Sequence, residues 1–515
     1  MPMARIVIRV TMEKDGKKVV AVRSSIDISN QLPHQLAVFS AEEEQELMII
    51  PPSQSQPVPL PFAHCQFLVK PEGCHVREKA AITWKDVRVA GETLNRTEYL
   101  ESFPNRDTYW LCTSIRREHY PDHEGLPGHS VCIVAPLTIQ NLLPIDVEIH
   151  ILDHVYPVAA GKNHMITTVD ITKTLAIRVV TDRLQTVQEC YISKSSIGEG
   201  QLVSLRLRDG NGRPLDMYGN VRLGVGGSIS LSLWVPYWIV NKSGIPLILK
   251  QEAADSEAAG QMAEHEQAKD RHPLMFSFAD DGCPKIVLID EERASEHVHI
   301  ASQCSLVWNE NYEDCRQMCI RRSDVRHWSC PFRIDRIGSF HITMRDADET
   351  PRFVRVEIIL NSAVFCVTFT DAEYYPPPIR IENLSDVPVL YQQQSEGPIG
   401  QHLRTICKAK SHIDYAWDDL YGSKRIVLQV YENKSHVYDP SIKGIGPQLV
   451  YENHMYIQLF ASFSSASISK RTEENELVLE TLQKGKVILN KQNRQRESTV
   501  DIVQRRVHRE YWDDV

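Results

Sequence analysis

The sequence predicts an all-β protein arranged as a tandem array of about four β-sandwich-like repeat modules. Three observations predict it: apolar residues that recur with period two, turn-forming glycine pairs between the alternating runs, and one phrase that returns four times at domain-sized intervals.

The alternation opens the chain. Ile6, Ile8, Val10 and Met12 are followed by the Asp15-Gly16 turn and then by Val20 and Val22, which spells a β-hairpin. The same grammar returns in Ser204–Arg208 before the turn Asp209-Gly-Asn-Gly212, and again in Ile229, Leu231 and Leu233. Long amphipathic helical patterns are scarce.

The recurring phrase is an isoleucine two positions before an asparagine, with a proline just downstream. It occurs at Ile28/Asn30/Pro33, Ile139/Asn141/Pro144, Ile239/Asn241/Pro246 and Ile381/Asn383/Pro388. A proline precedes three of the copies, at Pro136, Pro236 and Pro378. The asparagines stand 111, 100 and 142 residues apart. Such intervals are too long for solenoid units and suit sandwich domains in series. The longest interval contains an Ala/Glu/Gln-rich stretch, Gln251–His272, which reads as a short surface helix or a disordered loop inserted into the third module. The predicted boundaries are 1–125, 126–228, 229–369 and 370–468, with 469–515 as a polar basic tail or the start of a truncated trefoil domain.

An asparagine fits the end of a strand because its amide both donates and accepts, so it satisfies backbone groups at the exit turn while the proline stiffens the next segment. All four are either turn brackets alone or turn brackets that also shape a ligand-binding edge.

Composition sets limits. The 515 residues carry 57 basic and 67 acidic side chains, a formal net charge of -10, so no global positive field favours nucleic acid. A local basic cluster near the end, with Lys484, Lys486, Lys491, Arg494, Arg496, Arg505, Arg506 and Arg509, reads as a solvated face or an anionic-surface contact. The 12 cysteines show no C-x-x-C pair, which points to reduced thiols and a cytoplasmic setting rather than a disulfide scaffold or zinc ribbon. Neither a secretory leader nor a membrane-spanning stretch is expected, since the most apolar run, Ile229–Val240, is short and contains Pro236.

The sequence offers no chemistry for an enzyme. H-E-x-x-H, G-x-S-x-G, Walker-type and G-x-G-x-x-G motifs are absent, and no cofactor is implied. Cys304, Cys315, Cys319 and Cys330 with His327, and the His297/His299 pair, lack the further matched ligands that a metal site needs. The glycine-rich Leu223–Ser228 leads into a strand, so it is a bulge or tight connection and not a phosphate loop. Asp418 and Asp419 are adjacent and would point to opposite faces of a strand, which rules them out as an acid/base pair.

Trp234-Val-Pro-Tyr-Trp-Ile-Val-Asn-Lys-Ser-Gly-Ile-Pro-Leu247 resembles the vacuolar protein sorting-associated protein 13 family of bridge-like lipid-transfer proteins. Trp328–Phe332 leading to Ile337–Phe340, and Val356–Leu360 before Pro376–Asn383, resemble it too, over roughly residues 1 to 465. The Pro-Pro-Pro-Ile-Arg-Ile-Glu-Asn phrase, with Glu476–Glu480 and Gly485–Asn490, is most similar to the D-type paralogue, in which a trefoil follows this region. The resemblance implies repeated β-sandwich modules, each with a characteristic asparagine, that capture Pro-x-Pro peptides of organelle adaptors at membrane contact sites. It also implies that lipid is carried elsewhere in the parent protein and that membrane association is indirect or peripheral.

On this reading the peptide-binding candidates are Asn383, Val387, Val389 and Tyr391 in the fourth module and Tyr237, Trp238 and Asn241 in the third, with packing in the core as the competing role for the aromatics. Two other functions compete: a purely structural spacer, and lipid or carbohydrate recognition by the C-terminal tail.

Overall fold

The computed structural model describes residues 5–493 except 44, 75–80, 102–107, 120–125, 199, 253, 262–272, 279–316, 362–363, 374, 396–402, 432, 434, 443, 453–454 and 472–476. Within these residues every regular element is a strand or a single 3-10 turn. The chain forms two compact units, one holding 1–208 and 216–235, the other 209–215 and 236–515.

In the first unit, β1 (Ile6–Met12) and β2 (Lys18–Ser24) form a hairpin with Val10 opposite Val20. Ile6, Ile8, Val10, Met12, Val20 and Val22 all face outward and are exposed. The first module follows with β3 (Ile26–Gln31), β4 (Leu36–Ser40), β5 (Glu46–Ile50), β6 (Gln54–Pro57), β7 (Phe67–Pro71), β8 (Thr93–Glu101), β9 (Thr108–Arg117) and β10 (His129–Val134). Two sheets of order β6-β3-β10-β9-β8 and β5-β4-β7 face each other. Alternate residues such as Ile26, Ile28, Leu36, Val38, Ile115 and Ile133 fill the space between them.

The second module contains β11 (Leu137–Asn141), β12 (Val147–Ile151), β13 (His154–Val158), β14 (Asn163–Ile166), β15 (Leu175–Val180), β16 (Leu184–Thr186), β17 (Cys190–Ile192), β18 (Gln201–Asp209), β19 (Pro214–Leu223) and β20 (Ile229–Trp234). Its strand order repeats that of the first, except that the short β16 joins the two sheets into one. Between β19 and β20, the glycine-rich segment is the tight connection expected of it. Gly226 and Gly227 take φ of 71° and 73°, and Gly226 lies against the backbone of Cys112 and Thr113 on β9, where a side chain would not fit.

The second unit holds the third and fourth modules. The third consists of β21 (Tyr237–Lys242), β22 (Leu247–Gln251), β23 (Leu274–Phe276), β24 (Gln317–Arg322), β25 (Phe332–Arg333), β26 (Gly338–Arg345), β27 (Pro351–Asn361) and β28 (Val364–Asp371), in sheets β23-β21-β28-β27-β26 and β22-β24-β25. The fourth consists of β29 (Ile379–Asn383), β30 (Val389–Gln393), β31 (Thr405–Cys407), β32 (Ser411–Tyr415), β33 (Ile426–Gln429), β34 (His436–Tyr438), β35 (Gly444–Glu452), β36 (Met455–Arg471) and β37 (Leu477–Asn493), in sheets β32-β29-β37-β36-β35 and β31-β30-β33-β34.

One plan recurs. In each module the first strand lies between an antiparallel neighbour and the parallel last strand: β6 and β10 flank β3, β14 and β20 flank β11, β23 and β28 flank β21, β32 and β37 flank β29. The start of the last strand also bonds to the linker just before the first. His129 N–H donates to the Ser25 carbonyl at 2.9 Å, Ile229 to Pro136 at 2.7 Å and Phe365 to Pro236 at 2.9 Å. Proline suits that linker because its carbonyl accepts while its missing N–H leaves nothing unpaired.

This plan moves the expected boundaries. Strand β10 falls in the segment expected to open the second module, yet it pairs with β3 and β9 of the first. Strand β20, expected in the third, pairs with β19 and β11 of the second. The expected tail from 469 supplies the end of β36 and all of β37, which runs parallel to β29. Period-two patterning marks a strand but not its partner, and here each closing strand abuts the next module's opening phrase. Arg494, Arg496, Arg505, Arg506 and Arg509 lie outside the described residues.

His129, at the head of β10, is buried with Nε2 2.6 Å from the Val87 carbonyl and Nδ1 accepting from Gly128 N–H at 3.0 Å. Burial, first, and the neighbouring Arg117 hold its pKa below the ordinary 6.5. As pH falls through about 6.5 the unfolded chain takes up a proton that the folded module refuses, so stability declines on the acid side. Hydrogen-exchange protection of the β10 amides should therefore fall between pH 7 and pH 5, and His129→Gln should flatten that dependence; an unchanged slope would remove His129 as its source.

Candidate functional site

The four phrase asparagines are built into equivalent positions and make equivalent local bonds. Asn30, Asn141 and Asn383 are 0% exposed at the end of β3, β11 and β29. Each side-chain oxygen accepts the N–H two residues on: Leu32 at 2.9 Å, Leu143 at 3.0 Å and Ser385 at 3.0 Å. Each side-chain amide donates to the carbonyl four residues on: His34, Ile145 and Val387, at 2.9, 2.9 and 2.8 Å.

The same amide then crosses to the third strand. It reaches Ile50 at the end of β5 from Asn30, Val158 and Ala159 at the end of β13 from Asn141, and Cys407 and Lys408 at the end of β31 from Asn383. One side chain thus fixes the turn into the second strand and the exit of the third. Asn241 makes the local half, to Ile245 at 2.8 Å and from Ser243 at 3.1 Å. The sequence stretch that corresponds to its far partner includes 262–272, outside the described residues.

In the third and fourth modules a serine joins the bracket. Ser243 and Ser385 Oγ donate to the asparagine oxygen at 2.7 and 2.6 Å. An Asn-x-Ser pattern in two copies carries that signal, which the sequence reading passed over.

The other predicted residues are arranged behind β31. Val389 and Tyr391, on β30, pair with Cys407 and Thr405 and are buried at 0% and 2%, so they support the strand from within and offer no side-chain surface. Val387 is half-buried and contributes its carbonyl. Tyr237 is a core residue stacked on Phe365 at 5.7 Å and edge-on to Phe278, and Trp238 is half-buried on the other face of β21. The structure brings Asn383, Val387, Val389 and Tyr391 together around one strand. Tyr237, Trp238 and Asn241 form a separate group on β21.

In the first, second and fourth modules the third strand is a sheet edge, in the third module the corresponding sheet ends at β22, and these edges differ. Strand β5 runs straight into Pro51 and Pro52, and β13 carries Pro157, so both are blunted. Beside β22 the place is filled from within the chain. Ala258 N–H donates to the Leu249 carbonyl at 2.8 Å, while the Gln261 side chain accepts from Leu249 N–H at 2.8 Å and donates to its carbonyl at 2.9 Å, as a partner strand would. Ala254, Ala258, Ala259 and Gln261 are buried, so this part of the expected insertion is a packed cover and not a surface helix or a loose loop. The tip of the β18–β19 hairpin holds the cover: Asp209 accepts from Gly260 N–H at 3.0 Å and Arg213 donates to the Gln261 carbonyl at 2.8 Å. Among the described residues strand β31 pairs with β30 alone, and it contains no proline.

The third module steadies the start of β31. Arg345 on β26 donates to Thr405 Oγ1 at 2.5 Å and to the Leu403 carbonyl at 3.3 Å, and it grips Asp418 with contacts of 2.9 and 3.1 Å. The ion pair is buried, its side chains 10% and 6% exposed. Burial pushes the Asp418 carboxyl above the ordinary range and Arg345 pulls it back. This gives the Asp418-Asp419 pair a structural role, and no local sequence signal could have linked positions 73 residues apart.

Among the described residues no group of three His, Cys, Asp or Glu could hold a metal. The His297/His299 pair, Cys304 and Cys315 lie outside them; Cys319 is buried, Cys330 half-buried and His327 exposed. No helix among the described residues is long and apolar enough to cross a membrane.

The chain matches the family model described as vacuolar-sorting associated protein 13, adaptor binding domain, over residues 3–290 and 283–420. It is 26% identical to the human intermembrane lipid transfer protein VPS13D, aligned over 90% of this chain and 13% of that protein. For the Drosophila melanogaster Vps13D the figures are 25%, 95% and 15%, and for the Chaetomium thermophilum VPS13 they are 22%, 86% and 17%. The chain therefore spans less than a fifth of the length of these relatives.

Two substitutions test the site's construction. Asn141→Ala strands the Val158 and Ile145 carbonyls and should cost about 2–4 kcal/mol in denaturant unfolding. Arg345→Met leaves a buried carboxylate without its cation and should cost about 3–5 kcal/mol, less at acid pH where Asp418 protonates, with much of the loss recovered in Arg345→Met/Asp418→Leu.

Proposed function

The chain belongs to the family of the vacuolar-sorting associated protein 13 adaptor binding domain, and from that membership we propose that it is a non-enzymatic targeting region whose fourth module captures Pro-x-Pro peptides of adaptor proteins on β31. In this reading the chain directs an intermembrane lipid-transfer protein to organelle contact sites, associates with membranes through its adaptors, and carries no lipid itself.

The observation that carries the proposal is the contrast between edges. Among these edges, β5 and β13 are blunted by proline and β22 is covered by Gln261, whereas β31 is held in place by Asn383 and Arg345 and has no second partner strand among the described residues. A strand so fixed has paid its ordering cost before a ligand arrives.

A proline-rich ligand suits such an edge. In an antiparallel ladder, alternate residues direct both N–H and C=O toward the neighbouring strand, and the residues between them face away. Prolines at two positions with one residue between them place both missing N–H groups on the side away from β31. The intervening residue keeps its bonds, and the fixed φ of proline keeps the ligand extended.

Binding of a fluorescent Pro-x-Pro peptide to the intact chain should slow hydrogen exchange over 403–408. Asn383→Ala should weaken binding at least tenfold, whereas Asn141→Ala, with a similar stability cost in the second module, should leave affinity within about twofold. Equal weakening by both variants would assign the asparagines to stability alone. No peptide protection anywhere in 403–408 would favour the spacer reading.

A further inference from the structure

We propose that the captured strand is acidic, with carboxylates two positions to either side of an apolar residue; this rests on the peptide-capture reading above. Arg404 and Lys408 directly flank β31 (Thr405–Cys407), two positions to either side of Ile406, and all three are exposed, so period-two alternation sets them on one face of the edge. That face is open. Ile406 is 56% exposed beside its register partner Leu390, which gives an apolar centre between two cations.

Among the described residues neither cation is paired with a carboxylate. Arg404 Nε donates to the neutral Gln392 side chain at 3.2 Å, and Lys408 has no acidic partner within ion-pair distance among the described residues. The nearby carboxylates are engaged elsewhere: Asp414 with Arg380 at 3.0 Å, and Asp386 with Lys410 at 3.0 Å.

The corresponding segments of the first and second modules lack this character. Glu46–Pro57 contains no lysine or arginine, and His154–Ile166 contains Lys162 alone, while Arg404–Tyr415 contains Arg404, Lys408 and Lys410. The concentration of positive charge thus coincides with the unblunted edge, in a chain whose net charge is -10.

Directly opposed residues in an antiparallel pair point to the same face with Cβ atoms about 5 Å apart, within reach of an ion pair. A strand laid against β31 therefore sets one side chain opposite each of Arg404, Ile406 and Lys408. The complement is acidic-x-apolar-x-acidic. When the two intervening positions are the prolines, the whole becomes acidic-Pro-apolar-Pro-acidic, with every proline on the side away from the ladder. Rim charges of this kind act chiefly on selectivity and encounter rate, and their effect weakens with salt.

The test uses the intact chain and three peptides that share a Pro-Leu-Pro core, flanked on both sides by Glu, Gln or Lys. The Glu peptide should bind about tenfold more tightly than the Gln peptide at low salt, with the difference shrinking at 0.5 M salt, and the Lys peptide should bind most weakly. Arg404→Glu/Lys408→Glu should invert the order of the Glu and Lys peptides while leaving the Gln peptide within about threefold. Equal affinities for Glu and Gln peptides overturn the charge inference and leave peptide capture standing. Failure of all three to bind overturns peptide capture, and the inference falls with it.

Discussion

The array depends on one asparagine amide at the same place in each module, fully buried in the first, second and fourth. A strand that ends inside a sandwich leaves backbone N–H and C=O groups at its turn with no sheet partner, and a buried polar group without a partner costs on the order of 1–3 kcal/mol. Asn30, Asn141 and Asn383 resolve this at their turns, with the oxygen on a local N–H and the amide on two or more carbonyls. Aspartate cannot donate to those carbonyls, and glutamine is a methylene too long to close both the local turn and the cross-strand contact. The recurrence of one residue type is therefore a matter of donor and acceptor count. It also explains why the same side chain sets the position of the third strand, and through it the character of the edge.

The joints between neighbouring modules within each unit follow from the same plan. The face of one module's large sheet meets the segment just after the fourth strand of the next: Trp110 N–H donates to the Thr167 carbonyl at 2.5 Å in the first unit, and Thr343 Oγ1 donates to the Ala416 carbonyl at 3.2 Å in the second. The second unit adds the Arg345–Asp418 pair and the cover held by Asp209 and Arg213. Its third and fourth modules also share one continuous apolar core that includes Tyr237, Val356, Phe369, Tyr391 and Trp417. The first two linkers between modules are two residues each, Ala135-Pro136 and Val235-Pro236.

Much of this was legible in the sequence. Period two identified β1, β2, β18 and β20, and the Ile-x-Asn phrase located the first strand of every module. The asparagines were visible as turn brackets because their local partners lie two and four residues away. Their far partners were not, since 17 to 25 residues of variable sequence intervene. For the same reason local patterning assigns the closing strands to the wrong neighbours and places Lys484–Asn490 in a tail: parallel pairing of a module's last strand with its first joins residues about 100 apart and leaves no local mark. Arg345, Asp418 and Gln261 were likewise beyond reach. Tyr391 and Val389 are candidates that the sequence names, but their inward orientation is set by the register of β30 against β31 and β33, which composition does not encode.

The adjacency of first and last strands has a mechanical consequence. The chain enters the first module at Ile26 and leaves it at Val134, and these lie at opposite ends of one parallel pair, His129 opposite Ile26 and Val134 opposite Gln31. The second and third modules repeat that arrangement. Tension applied along the polypeptide therefore loads the whole ladder in shear, so that its bonds must give way together instead of peeling one at a time from an end. An array threaded in this way resists extension through geometry alone, whatever lies at either end of it.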